Sequence, residues 1–419
     1  MTADMDIRTD RRLSELIDKG QQVSFDEVKQ NLTKRDYIDM NREVSPLRKA
    51  DDAIVIDNSE LDREEQLSKA LDIINQKIKE NNNAVALNPS GFDAVTNAIL
   101  AEASNTVIKH LLNIKGNDVN KLTHDKRTYV FWAAYKGNLE LVKYLIKNKA
   151  RLDLKDSHNF SPLTFAAVAG QTNTDIYDLF IKNGIDIKTD VDEKGANALL
   201  LLIGHLKDFK LVDYFINKGL NLNSKDNHGN GVFNYTAYKG NKEMLELLIK
   251  KGVSYKKLSS NGDNAILAST IGSRSGYNPL SFIKYLENLG INPNVTNNDG
   301  ITPLHNIAYG NKDINVYNYF LNKGVNVNQI DNNGNTPLIN AARRNSFEVI
   351  QLLASKTKNI NHTNNEGKSA LTNSLRNNSE VVKFLLEKGA NATIVDTKGN
   401  NLNYHLFKTF NSKKTKEFF

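Results

Sequence analysis

The sequence predicts a mostly α-helical solenoid of about nine helix-turn-helix repeats with short β-turn or hairpin tips, preceded by a small α/β segment. Three observations predict it. A first column, Gly91, Lys126, Asn159, Gly195, Gly229, Gly262, Gly300, Gly334, Gly367 and Gly399, recurs at intervals of roughly 32 to 38 residues. A second column, Gly184, Gly219, Gly252, Gly290, Gly324 and Gly389, keeps phase with it. Between the two columns, apolar residues fall at the i, i+3, i+4 spacing of short amphipathic helices.

The stretch Asp331 to Thr363 displays the unit. The turn Asp331-Asn332-Asn333-Gly334 leads into Thr336-Pro337-Leu338 and a short helix carrying the small Ala341 and Ala342. Ser346 is placed to cap a second helix, in which Val349, Ile350, Leu352 and Leu353 form one stripe. Neither helix buries its apolar face alone, so the unit requires stacked neighbours. The first column needs a positive φ, which glycine adopts freely and asparagine tolerates; Lys126 departs from it and predicts a reshaped turn. The second column reads as left-handed helix C-caps. This pattern resembles the ankyrin repeat, D-x-x-G-x-T-P-L-H-x-A-A followed by a leucine-rich helix and G-A-x-x-N. The resemblance implies a stacked array with a concave, protein-binding surface of turn tips and first-helix ends.

Residues 1–80 lie outside the repeats. Helix signals cover Ile7 to Lys19 and stop at Gly20; Ser24 and Glu27 form a capping box for a second helix running towards Arg42. Asp51 to Ser59 reads as a buried strand and Leu61 to Lys79 as a third helix. The run R-D-x-x-D-x-x-R (Arg35 to Arg42), followed by S-P-L and A-D-D-A-I-V-I-D, resembles the C-terminal third of bacterial cytidylate kinases. The resemblance implies that Asp39 and Arg42 correspond to contacts with the ribose and phosphate of CMP, with Arg35 as a phosphate partner. Positions 35, 39 and 42 share a helical face, so two guanidiniums and a carboxylate converge; without a facing pocket they are a surface ion-pair ladder. Phosphoryl transfer also needs a phosphate-cradling glycine loop, its lysine and a Mg²⁺ ligand, and the 419 residues contain none. Gly367-Lys368-Ser369 imitates the end of such a loop, but His362 stands where its first glycine belongs. The segment is therefore expected to be a vestige of a kinase, without catalytic residues or cofactors. Residual CMP binding is the alternative.

Residues 81–123 read as a degenerate opening repeat, with Ala94 and Val95 in the Pro-Leu positions and Val107, Ile108, Leu111 and Leu112 in its second helix. The array proper runs over 124–419. Ser273 to Pro279 inserts a loop, expected to be mobile, between two helices, and Ser412 to Lys416 is a basic tail.

The chain holds no cysteine, which excludes disulfides, thiolate nucleophiles and Cys-ligated zinc. Its longest apolar run, Ala198 to Ile203, is too short for a membrane span, and no signal peptide opens the sequence, so a cytoplasmic location is expected. The net charge of +7 is scattered over helix surfaces, which favours a solvated basic face over a nucleic-acid site. The eight histidines show no zinc-ligand spacing, and no metal site is expected.

What remains is binding. The two positions after the A-A pair vary along the array: Tyr135-Lys136, Val168-Ala169, Gly204-His205, Tyr238-Lys239, Ile271-Gly272, Tyr309-Gly310, Arg343-Arg344 and Arg376-Asn377. Tyrosines and arginines in a surface column have the composition of an interface core. The predicted partner-binding residues are Tyr135, Lys136, Tyr238, Lys239, Tyr309, Arg343, Arg344 and Arg376, with an acidic protein as partner; the bland alternative is packing between repeats. The adjoining column changes from Trp132, Phe165, Leu201 and Tyr235 to Ala268, Asn306, Asn340 and Asn373, which predicts two halves of different chemistry.

Overall fold

A computed structural model of the chain describes residues 3–42, 54–81 and 85–410. It divides into two compact units, Met1–Asp118 and Val119–Phe419, so the break falls within the exit of the repeat expected over 81–123.

In the first unit, α1 (Met5–Asp18) starts on Asp4, whose carboxylate accepts from the Asp6 N–H. The capping box at α2 (Phe25–Asn41) forms: the Ser24 hydroxyl accepts from the Glu27 N–H, and the Glu27 carboxylate from the Ser24 N–H. The two helices pack together, and Arg8 of α1 forks onto Asp36 of α2 at 2.6 and 3.0 Å. Then come α3 (Arg63–Asn81) and the paired α4 (Ala94–Leu100) and α5 (Asn105–Leu112), capped by Asp93 and Ser104. The strand expected at Asp51 to Ser59 is not seen in its described part. Residues 51–53, like the S-P-L run, lie outside the described residues; Ile54 and Val55 are exposed and only Asp57 makes a bridge. A strand needs a neighbour for its backbone N–H and C=O groups, and no strand is found among the described residues.

The second unit is built from helix pairs: α6 (Tyr129–Tyr135) with α7 (Leu139–Lys147), α8 (Pro162–Val168) with α9 (Thr174–Lys182), and α10 (Ala198–Ile203) with α11 (Lys210–Asn217). Next are α12 (Val232–Tyr238) with α13 (Lys242–Lys250), α14 (Ala265–Ser269) with α15 (Leu280–Asn288), and α16 (Pro303–Ala308) with α17 (Ile314–Asn322). The array continues with α18 (Pro337–Ala342) and α19 (Phe347–Lys356), α20 (Ala370–Ser374) and α21 (Ser379–Glu387), then α22 (Leu402–Phe410). The first helices pack successively on one another from α6 to α20. They carry the core: every residue of α10 is buried, and Ala341 and Ala342 have no exposed surface.

Three hydrogen-bonded columns run along the stack. At the turns, one Oδ1 of Asp156, Asp192, Asp226, Asn297, Asp331, Asn364 or Asp396 accepts the N–H groups two and four residues on, at 2.8 to 3.1 Å. Each turn then bonds to the preceding one through its backbone, from Ser157 N–H on the Asp125 carbonyl to Thr397 N–H on the Glu366 carbonyl. Finally, amide side chains after the first helices donate to carbonyls of the previous repeat: Gln171 to Ala134, Asn241 to Gly204, Asn278 to Tyr238, Asn345 to Ala308 and Asn377 to Ala342.

Both glycine columns adopt positive φ throughout, and so do Lys126 and Asn159. The turn at Lys126 is reshaped as expected, with Asp125 left-handed too, at φ +56°. Ser346 occupies the N-cap of α19, but its hydroxyl makes no cap bond; Asn345 Oδ1 instead accepts the Ser346 N–H at 2.7 Å. The insert Ser273 to Pro279 carries hydrogen bonds of its own and to its neighbours. Ser273 and Gly276 exchange backbone hydrogen bonds, and Asn278 donates to the carbonyls of Ala237, Tyr238 and Ser269.

His305, 1% exposed, is the structural hydrogen-bonder its T-P-L-H position predicts. Its Nδ1 accepts the Thr302 N–H, and Nε2 therefore donates to the Asn335 carbonyl at 3.2 Å. Protonating Nδ1 would break the first bond, and burial lowers the imidazole pKa, against the opposing pull of the Asn335 carbonyl and Asp331. The unfolded chain therefore takes up this proton first as pH falls. The stabilisation is present above an ordinary histidine pKa of 6.5 and is lost below it, by at most about 1.4 kcal/mol per pH unit. Denaturant midpoints measured between pH 7.5 and 5 should fall with acid, and less steeply in His305→Gln; identical slopes would remove His305 as the cause.

Candidate functional site

The turn tips and the ends of the first helices line a groove along the second unit. Its central stretch encloses about 510 Å³. The floor there is Leu201, Tyr235, Tyr238 and Ile271, and the wall carries Glu193, Asp226, Asp263 and Asp299. Ile271 and Asn306 continue into a neighbouring cavity of about 600 Å³, where they meet Tyr277 and Tyr309. Tyr309 in turn lines a cavity of about 260 Å³ with Arg343, Arg376 and Lys408. Ile271 and Asn306 are common to the first two cavities and Tyr309 to the last two, so the three adjoin one another along the array.

The central wall is acidic by construction. The acids lie in the turn tips: Asp226 forms the Asx turn of its repeat, and the backbone N–H groups of Asp263 and Asp299 donate to the Ser259 and Asn297 side chains of theirs. Asp226 accepts from the Tyr235 hydroxyl at 3.0 Å, Asp263 from Asn297 Nδ2 at 2.9 Å, and Asp299 from Asn261 Nδ2 at 2.8 Å. Neutral donors, not cations, hold all three. Burial, then the charges of Asp226 and Asp192, push the Tyr235 hydroxyl pKa well above its usual value. The other end is cationic. Arg343 and Arg376 are exposed, and neither forms an ion pair with a described residue; Lys368 pairs with Glu366 in the same cavity.

Tyr309, 46% exposed, and the half-buried Tyr238 line the groove together with Lys239, Arg343, Arg344 and Arg376. Tyr135 is exposed but lies with Lys136 outside these cavities, stacked on Phe165 at 5.7 Å. Arg344 donates through Nε to the Tyr309 carbonyl at 2.8 Å, so part of its fork ties two repeats together. In the adjoining column Trp132, Phe165 and Leu201 are core. The asparagines there are cross-repeat ties: Asn306 donates to the Leu267 carbonyl and Asn373 to the Ile339 carbonyl. Sequence reasoning missed the groove acids. The signal was present as the aspartate of the turn, which reads as local turn chemistry rather than as a wall.

In the first unit, Arg35, Asp39 and Arg42 fall on one face at the end of α2. Asp39 stands 3.9 Å from each guanidinium, and the three form an open ladder in which the Arg35 side chain is 79% exposed. Gly367-Lys368-Ser369 is a repeat turn, with Ser369 as the N-cap of α20. Among the described residues no group of three or more His, Cys, Asp or Glu could hold a metal, and no helix is long and apolar enough to cross a membrane.

Comparison with known proteins finds two families along the chain. The model for cytidylate kinase matches residues 1–76. A cytidylate kinase of Flavobacterium johnsoniae is 51% identical over 79 residues, which are 19% of this chain and 34% of that protein. One from Bacteroides thetaiotaomicron is 50% identical over 80 residues, 19% of this chain and 35% of the relative. One from Clostridium perfringens is 56% identical over 59 residues, 14% and 27%. The chain spans about a third of the length of the curated relatives it matches. The model for ankyrin repeats matches residues 96–191, 271–364 and 308–396, together more than half of the sequence. With the two glycine columns, the paired helices and the turn ladder already in place, this chain belongs to the ankyrin repeat family and carries a cytidylate-kinase-like segment at its N-terminal end.

Proposed function

We propose that this chain is a non-catalytic scaffold that captures a protein partner in the groove of its repeat array. One observation carries the reading: adjoining cavities along the array are lined by exposed or half-buried tyrosines and by arginines that form no ion pair with a described residue, where packing alone would have buried them. Tyrosine offers a large contact area at small entropy cost, and an open guanidinium forks onto carboxylates. The partner in this reading presents acidic side chains to Arg343 and Arg376. Replacing Tyr238 or Arg343 by alanine should weaken a captured partner by about 1 to 3 kcal/mol each while leaving the thermal midpoint nearly unchanged. Binding by both variants at the wild-type level, measured by calorimetry, would move the interface elsewhere.

The kinase-like segment supports a second, narrower reading, residual CMP binding on the ladder of Arg35, Asp39 and Arg42. We expect no turnover from these 419 residues, because the ladder is open and no phosphate-cradling glycine loop accompanies it. A coupled assay with CMP and ATP should stay at its no-enzyme background, while a melting temperature raised by CMP would support the binding reading and an unchanged one would remove it. A ligand at 100 times its dissociation constant would add about 2.7 kcal/mol, so even weak binding would be visible.

A further inference from the structure

The groove changes sign along its length, and this is more specific than a preference for an acidic partner. Glu193, Asp226, Asp263 and Asp299 line the central stretch against Lys194 and Lys239. Arg343, Lys368, Arg376 and Lys408 line the last stretch, where Glu366 is the acidic residue among the described ones. Tyr309 and Ile271 join the two, and between them stands the aromatic platform of Tyr277. The ring packs against Gly272, where an added Cβ would come within 2.6 Å of it. The floor of the central stretch, with Leu201, Tyr235, Tyr238 and Ile271, is apolar and aromatic.

A uniformly acidic ligand would meet repulsion over the central stretch, and a uniformly basic one over the last. Like charges set against each other at close range in an interface disfavour both ligands strongly. We propose that the groove takes an extended segment of a partner protein with separated charges: lysines or arginines with aromatic or aliphatic anchors in the central stretch, then aspartates or glutamates at Arg343 and Arg376. The long apolar stems of cationic side chains suit the central floor, where ammonium or guanidinium heads reach carboxylates held by neutral donors. At the other end, the two arginines receive carboxylates in forked geometry. This rests on the scaffold reading and names the chemistry of its partner.

The test is selection of random 16-residue peptides, displayed on phage, against the full immobilised chain. The expected result is enrichment of peptides whose basic and acidic residues occupy opposite halves, with aromatics in the basic half. For a synthesised winner, Arg343→Ala with Arg376→Ala should weaken binding at least tenfold, and the loss should shrink when the peptide's acidic half is replaced by serine and glycine. Glu193→Gln with Asp299→Asn should behave the same way towards the basic half. Both pairs lie on exposed or half-buried side chains, and circular dichroism checks that each variant remains folded. Enriched peptides of uniform charge, or with no charge pattern, would overturn the two-sign groove while leaving the scaffold reading intact. No enrichment over the bare matrix would overturn both.

Discussion

Arg127→Ala should shift the urea midpoint of the repeat array more than any surface change. Arg127 is 7% exposed and lies in the reshaped turn that opens the second unit. Its Nε and one terminal nitrogen bond Asp156 Oδ2 at 2.8 Å, and its other terminal nitrogen stands 3.1 Å from Asp125. The guanidinium plane also lies over Phe165, 4.2 Å from the ring centroid, and near Trp132. The Asp156 side chain is fully buried, and its other oxygen already accepts two backbone N–H groups. Removing the arginine would leave a buried carboxylate without its cation, a loss of about 3 to 5 kcal/mol. Arg127→Lys should recover only part of it, since an ammonium cannot span both nitrogens' positions. The loss should localise to the first repeats, because a solenoid transmits stability through neighbours only; hydrogen exchange would place it there. A shift below about 1 kcal/mol would show that water or a rearranged turn replaces the guanidinium.

The second large effect is expected at Gly300. Its φ is +74°, and a Cβ there would stand 2.4 Å from the Ile330 carbonyl oxygen and 3.0 Å from Asp331 Cα. Those atoms belong to the backbone of the next turn, where Asn332 donates to the Asp299 carbonyl. Gly300→Ala therefore combines left-handed strain of about 1 to 2 kcal/mol with a collision that only separating two repeats can relieve. Gly252 is the control, with φ +77° and no atom within 4 Å of the added carbon. Gly252→Ala should cost about 1 kcal/mol and Gly300→Ala well over 2 kcal/mol. Equal effects would mean that strain alone decides, and that the turn ladder is loose.

The sequence by itself determined the repeat: its period, the two left-handed columns, the helix start at Ser24, the small Ala341-Ala342 pair and the structural histidine at position 305. These are local quantities. A positive φ, a cap or a 3.6-residue stripe is imposed on the chain by residues a few positions away. Only the tertiary structure decided what happens between residues some 33 positions apart. Asn306 and Asn373 looked like a change in surface chemistry and proved to be ties onto carbonyls of the preceding repeat. Arg344 looked like an interface residue and is partly consumed by the Tyr309 carbonyl. Asp226 and Asp299 looked like turn chemistry and also form one wall of the groove. The insert at Ser273 to Pro279 looked loose because its glycine and serines are turn formers, yet Asn278 pins it to the previous repeat. In each case the backbone role was readable in one repeat. The side chain's partner was set by how far each repeat rotates and rises on the last, a geometry that exists only after the helices have stacked.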